Sequence, residues 1–214
     1  MNVLKRVVIT GGTGALGRAI QRRFLAENWD VVSFGSKNPE LSNDESMNCF
    51  FDRNPCDLLI CAAGIVRDQP LARLDEEVWD EVFHLNYTFA KRCSLAAIPG
   101  MNQGSQVLFI SSYAAIHPGV GQSAYATAKA ALIGLTKDLA THYGPNGIRV
   151  NAIMPGFMET PMTREVSMKR KQAIRESHVM GQFNTPDIVA EFIHVLHERM
   201  PFTSGQLFQL DSRT

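Results

Sequence analysis

A chain of 214 residues, 45% hydrophobic and 20% charged, has the make-up of a globular domain with a sizeable core, not of a fibrous or disordered segment. Its 21 Lys and Arg balance 21 Asp and Glu, which excludes a global field for gathering nucleic acid or an anionic membrane. The four cysteines, Cys49, Cys56, Cys61 and Cys93, have neither metal-ligand spacing nor a small disulfide frame, so no metal is expected and a reducing, cytoplasmic setting fits them.

The opening MNVLKRVVITGG runs into a strand without an apolar leader, and no stretch approaches the ~18 apolar residues of a membrane span, so a soluble, unexported protein is expected. Strand Arg6–Thr10 leads through Gly11, Gly12, Thr13, Gly14, Ala15, Leu16 and Gly17 into a helix over Ala15–Asn28. Gly12, Gly14 and Gly17 fit G-x-G-x-x-G, in which glycines let the backbone approach a pyrophosphate and the helix start offers unpaired N–H groups. A plain glycine-rich turn is the alternative.

Next comes strand Asp30–Phe34, followed by Gly35, Ser36 and Lys37. No carboxylate stands there to repel a 2′-phosphate, while Ser36 and Lys37 would bind one, which favours NADP(H) over NAD(H); the alternative is a solvated loop lysine. Residues Ser36–Cys56 hold at most one short strand, Cys49–Phe51, and are expected to be abbreviated and irregular, since two crossover helices do not fit.

Further along, strands are predicted at Asp57–Ala62, Gln106–Ile110, Arg149–Ile153 and Gln206–Leu210, and helices at Asp75–Ile98, Ala124–Tyr143, Met162–Glu176 and Pro186–Met200. Pro161 and Pro186 mark the last two helix starts. Most strands are apolar on both faces, which indicates a single-domain α/β fold over residues 1–214: a Rossmann-like, doubly wound parallel sheet with helices on both faces.

Tyr125 and Lys129 stand four residues apart, on one face of a helix. A ketone reductase needs a proton donor, and a nearby ammonium would bring a tyrosine, whose pKa is about 10, toward the working range. Alone, such a pair is more often a ring packed beside a solvated lysine. Ser112, at the end of strand Gln106–Ile110, adds a hydroxyl on the side where ligands bind.

Together, TGGTGALG (Thr10–Gly17), AAGIVRDQPLARL (Ala62–Leu74), HLN (His84–Asn86), ISS (Ile110–Ser112), YATAK (Tyr125–Lys129) and IRVNAIMPGFMETPM (Ile148–Met162) resemble the short-chain dehydrogenase/reductases over nearly the whole chain apart from Ser36–Cys56. Within that family the chain is most similar to the 3-oxoacyl-[acyl-carrier-protein] reductases of fatty-acid synthesis. The resemblance implies that Tyr125 donates a proton as hydride reaches the carbonyl. Ser112 would bind the carbonyl oxygen, Lys129 would hold the nicotinamide ribose and lower the tyrosine pKa, and Asn86 would anchor a proton-relaying water. It also implies that Asp52 contacts adenine, that Ala62, Ala63 and Gly64 pass beneath the adenosine ribose, and that Pro155, Gly156 and Thr160 border the nicotinamide. A homo-oligomer, dimer or tetramer, follows from the same likeness.

The sequence departs from the family at Cys61 or Ala62, where asparagine is usual, and at Leu210-Asp211-Ser212-Arg213, where an Asp-Gly-Gly turn is common. Met154, Phe157, Met158, Met162 and Met180 offer flexible apolar surface for an acyl chain, or ordinary core. Lys169, Arg170, Lys171 and Arg175 would receive an acidic acyl carrier protein, or are a solvated helix face. The expected reaction is NADPH-dependent reduction of a 3-oxoacyl thioester. The alternatives are another ketoreductase or secondary-alcohol dehydrogenase, and a non-catalytic nucleotide-binding scaffold.

Overall fold

The computed structural model describes residues 4–35 and 38–213. Six parallel strands, β1 (Arg6–Thr10), β2 (Asp30–Phe34), β3 (Leu58–Cys61), β4 (Gln106–Ile110), β5 (Arg149–Met154) and β6 (Leu207–Gln209), lie in the order β2-β1-β3-β4-β5-β6. The chain leaves β1 for β2 on one side and returns to β3 on the other, so the sheet's switch point lies between β1 and β3. Crevices for ligands open at such points, at the carboxyl ends of the strands.

Alternate strand residues feed two cores. Val8, Leu59, Val107 and Val150 face one side, packed with Phe50, Phe51, Phe89 and Leu132. Val7, Ile9, Leu58, Ile60 and Leu108 face the other, with Ile20, Phe24, Val189 and Ile193. Helices α1 (Ala15–Ala26) and α7 (Pro186–Arg199) therefore cover one face, and α2 (Asp44–Arg53), α4 (Phe89–Ala97) and α5 (Ser123–Tyr143) the other. This two-sided burial is why the strands read as apolar throughout.

Residues 38–56 depart from expectation. Cys49–Phe51 is not a strand but part of α2, a regular helix opened by a reciprocal cap: Ser46 N–H donates to Asn43 Oδ1 at 2.9 Å and Asn43 N–H to Ser46 Oγ at 3.4 Å. A single crossover helix suffices because, among the described residues, no strand lies outside β2, where the usual doubly wound order has one. Phe50 and Phe51 read as β-prone in isolation, but tertiary burial places them, with Met47, on one helix face.

Two helices also differ. The predicted Asp75–Ile98 helix is interrupted at His84–Thr88 by a π-helical turn joining α3 (Glu76–Phe83) to α4. The fourth begins late: Pro161–Thr163 forms a 3-10 turn, and α6 spans Met168–Glu176, capped by Ser167 Oγ. Among the described residues, no helix is long and apolar enough to cross a membrane.

Candidate active site

The glycine loop is shaped by space. Gly11 holds φ +73°, and a Cβ there would lie 2.7 Å from the backbone of Ala62 and Ala63, so the loops after β1 and β3 touch at the switch point. A Cβ on Gly17 would overlap Gly11 O and come within 2.7 Å of Gly12 Cα. Gly14 caps α1 without a side-chain hydrogen bond, which leaves the positive end of the helix open beside the crevice. Bare glycines, an open helix start and contact with the next loop suit a pyrophosphate.

After β3, the Ala63 amide donates to Thr10 Oγ1 at 3.2 Å, fixing Ala62–Gly64 against β1. Gly64 faces two polar groups: a Cβ there would overlap Asn86 Oδ1 and sit 3.4 Å from Lys129 Nζ. Asn86 is fully buried in the π turn, and its Nδ2 donates to Ile65 O and Val82 O, both at 2.8 Å. Its Oδ1 is buried without a partner among the described residues. Buried acceptors are rarely left empty, so an unspent one beside Lys129 marks a place for a polar group. The π turn, absent from any simple periodicity, turns this side chain inward.

Ser112 follows β4, and its Oγ accepts the Ala114 amide at 3.2 Å. Tyr125 lies in the first turn of α5, half-buried, with Ser112 within hydrogen-bonding reach. Lys129, one turn on, is 4% exposed, with Nζ 5.7 Å from the Tyr125 ring centroid and donating to Ile110 O at 2.9 Å. Burial lowers its pKa to about 8, an effect Cys61 offsets in part.

The tyrosine departs from expectation. Burial raises the Tyr125 pKa, the Ser112 hydrogen bond lowers it, and the Asp68 carboxylate raises it. The Lys129 ammonium lies over the ring, 5.7 Å from its centroid, and desolvation sets the direction of the shift. Tyr125 thus holds its proton at neutral pH. Asp68 carries no signal in the sequence beyond its place in the resemblance.

Pro155 and Gly156 follow β5, with Gly156 at φ +82°, and the Thr160 amide donates to Thr163 Oγ1 at 3.0 Å. The structure thus brings Gly11–Gly17, Ala62–Gly64, Asn86, Ser112, Tyr125, Lys129, Pro155, Gly156 and Thr160 to one end of the sheet. Asp52 is not among them. It is exposed in the last turn of α2, and a crossover helix runs antiparallel to its strands, so that turn lies toward their amino ends. Ser36 and Lys37 lie outside the described residues. Among the described residues, no group of His, Cys, Asp and Glu is placed to hold a metal ion.

A protein-family model described as Enoyl-(Acyl carrier protein) reductase matches residues 42–212. The chain is 32% identical over 213 residues to the 3-oxoacyl-[acyl-carrier-protein] reductase of Aquifex aeolicus, covering 96% of this chain and 85% of that one. It is 34% identical to the (3R)-3-hydroxyacyl-CoA dehydrogenase of Rattus norvegicus, over 89% of this chain and 73% of that one. A short-chain dehydrogenase from Burkholderia cenocepacia, solved in complex with NADP, matches with a TM-score of 0.86 at 25% identity over 98% and 97% of the two chains. With the family model and the relatives matched over most of the chain and the fold in agreement, the chain is an oxidoreductase and belongs to the short-chain dehydrogenase/reductase family.

Proposed function

We propose that the chain, as one domain, is an NADP(H)-dependent reductase that converts a 3-oxoacyl thioester, carried by an acyl carrier protein, to its 3-hydroxyacyl form. The observation that carries the reading is the convergence of Ser112, after β4, with Tyr125 on α5, one helical turn from buried Lys129, whose ammonium lies over the tyrosine ring. When bound, the nicotinamide supplies a hydride to the carbonyl carbon. Tyr125 donates its proton to the carbonyl oxygen, and Ser112 hydrogen-bonds that oxygen, offsetting the charge that develops on it. Burial helps here, because an acid needed in the reductive direction must keep its proton until the hydride arrives. Lys129 holds the ribose and, with the free Oδ1 of Asn86, lines the route by which Tyr125 regains a proton.

The cofactor preference is supported by the Burkholderia cenocepacia structure and by the absence of a carboxylate at the end of β2. The substrate class is supported by the curated relatives and by α6, whose Lys169, Arg170 and Arg175 are exposed beside Met168 and suit an acidic carrier. A homo-oligomer is part of this reading, and light scattering measures it. The deciding experiment follows NADPH oxidation with acetoacetyl carrier protein and acetoacetyl-CoA, for the wild type and Tyr125→Phe. Turnover that favours the carrier-linked substrate and falls by about a hundredfold or more in the variant is expected. Cofactor binding without turnover on either substrate removes the reading.

A further inference from the structure

Just after β6, a buried carboxylate and a guanidinium tie together three loops of the site. The Asp211 side chain is 1% exposed. It packs against Gly156 so closely that a Cβ on that glycine would lie 2.6 Å from Asp211 Cβ. Asp211 Oδ1 accepts from Gln209 Nε2 at 2.7 Å, and Oδ2 accepts from Arg213 Nε at 2.6 Å and from Arg213 Nη2. The Arg213 guanidinium lies 3.4 Å from the ring centroid of Tyr113, which stacks in turn on His117 at 4.5 Å. Tyr113 directly follows Ser112, and its carbonyl accepts the Ile116 and His117 amides, so the ring under Arg213 belongs to the turn that aims the serine. On the third side, Val179 N–H donates to Ser212 O at 3.0 Å, His178 pairs with Arg213 in an antiparallel bridge, and Asn184 Nδ2 reaches Pro155 O at 3.2 Å.

We infer that Asp211 and Arg213 are positioning residues, a strap that holds the Ser112 turn in register with the Gly156 loop and with segment 178–184. The inference rests on the reductase reading of the site. Arg213 is not itself an anion subsite, because its charge is neutralised by Asp211 and its side chain is 11% exposed. A desolvated ion pair in which two guanidinium N–H groups meet one carboxylate oxygen restrains the guanidinium, and stacking on an aromatic face fixes its plane. The reaction needs that accuracy: Ser112 must meet an oxygen whose position is set by a cofactor on the Gly156 side, and an error of about 1 Å can cost a hundredfold in rate.

The test compares hydrogen–deuterium exchange and steady-state kinetics in wild type, Arg213→Ala, Tyr113→Leu and Tyr113→Phe. In Arg213→Ala and Tyr113→Leu, amides 114–117 are expected to exchange about tenfold faster. In the same two variants kcat for ketone reduction falls by about a hundredfold, while KM for NADPH stays within about twofold. Tyr113→Phe keeps the ring and should keep both properties. Combining Arg213→Ala with Tyr113→Leu should add little to either alone, since both break one link. Unchanged exchange at 114–117, or a rise in KM for NADPH that accounts for the lost activity, overturns the strap. If the wild type reduces no ketone, the reductase reading fails, and the exchange comparison still decides the strap. Should Arg213→Ala unfold, Tyr113→Leu, at a half-buried position, supplies the same comparison.

Discussion

Lys129 donates its Nζ to the Ile110 carbonyl, 2.9 Å away, at the end of the strand that leads into Ser112. That bond anchors a cation whose pKa burial lowers from 10.5 to about 8. Lys129 is charged below that pH and neutral above it. If its ammonium holds the ribose, kcat/KM for NADPH, which reports on the free enzyme, is level through neutrality and falls about tenfold per pH unit above about 8. Tyr125, raised by burial, adds no limb at lower pH. A profile still level at pH 10 would show that the charge is dispensable.

The same burial makes Lys129 a cost to the fold. Its folded pKa lies below its unfolded one, so between pH 8 and 10.5 the folded state binds fewer protons, and stability rises with pH across that window. Lys129→Met keeps the volume and removes the charge. At pH 7 the variant should be more stable by about 1–3 kcal/mol, and almost inactive. At pH 10 the advantage should shrink. Urea unfolding at the two pH values measures it, and an equal gain at both would rule out charge burial as the cause.

One change made at two glycines should have opposite effects. An alanine methyl at Gly64 would overlap Asn86 Oδ1 and crowd Lys129 Nζ, so Gly64→Ala should cost about 1–3 kcal/mol and abolish turnover. Gly134, inside α5, has nothing within 4 Å of an added Cβ, and Gly134→Ala should gain about 0.5–1 kcal/mol through lower chain entropy, with activity retained. Thermal melts of the two variants decide. Equal effects would mean that lost chain entropy, not contact with Asn86, governs Gly64.

Much of this was legible in the sequence. The glycine loop could be read because Gly11 and Gly17 are required by backbone contact, and Ser112, Tyr125 and Lys129 because a strand end and a helix periodicity fix their faces. What stayed hidden depends on long-range packing. The π turn at Asn86 leaves the 3.6-residue pattern, and Asp211 and Arg213 act through Gly156 and Tyr113, far away in the chain. The upward shift of Tyr125 follows from burial, which spacing alone does not report. Asp52 failed because a helix replaced the expected irregular segment and carried it to the far end of the sheet.

At that far end, Arg149 is buried at the start of β5 and donates to the carbonyls of Leu196 (3.3 Å), His197 (3.2 Å) and Met200 (3.1 Å), closing the end of α7, and to Gly104 O at 2.9 Å. His197 beside it is held neutral, its pKa lowered to about 3 by burial and then by the Arg149 charge, so it can accept. Arg149→Met leaves those carbonyls without a donor and should cost about 3 kcal/mol in urea unfolding. Kinetic constants of the folded fraction should not change, because Arg149 lies across the sheet from Tyr125. A loss below about 1 kcal/mol would mean that water replaces the guanidinium.

The helix that displaced Asp52 makes a prediction of its own. If α2 is held by its cap, Asn43→Ala removes the acceptor for the Ser46 amide and should cost about 1 kcal/mol. In a chain of this size that lowers Tm by about 2–4 °C. Asn43→Asp keeps the acceptor and sets a negative charge at the positive end of the helix, so it should match or exceed the wild type. The effect should reach the core, since α2 seats Phe50 and Phe51, and Phe50 packs edge-on against Phe34 with centroids 5.3 Å apart. An irregular segment would be indifferent to both changes, so equal Tm values for the two variants and the wild type would return residues 44–53 to a loop.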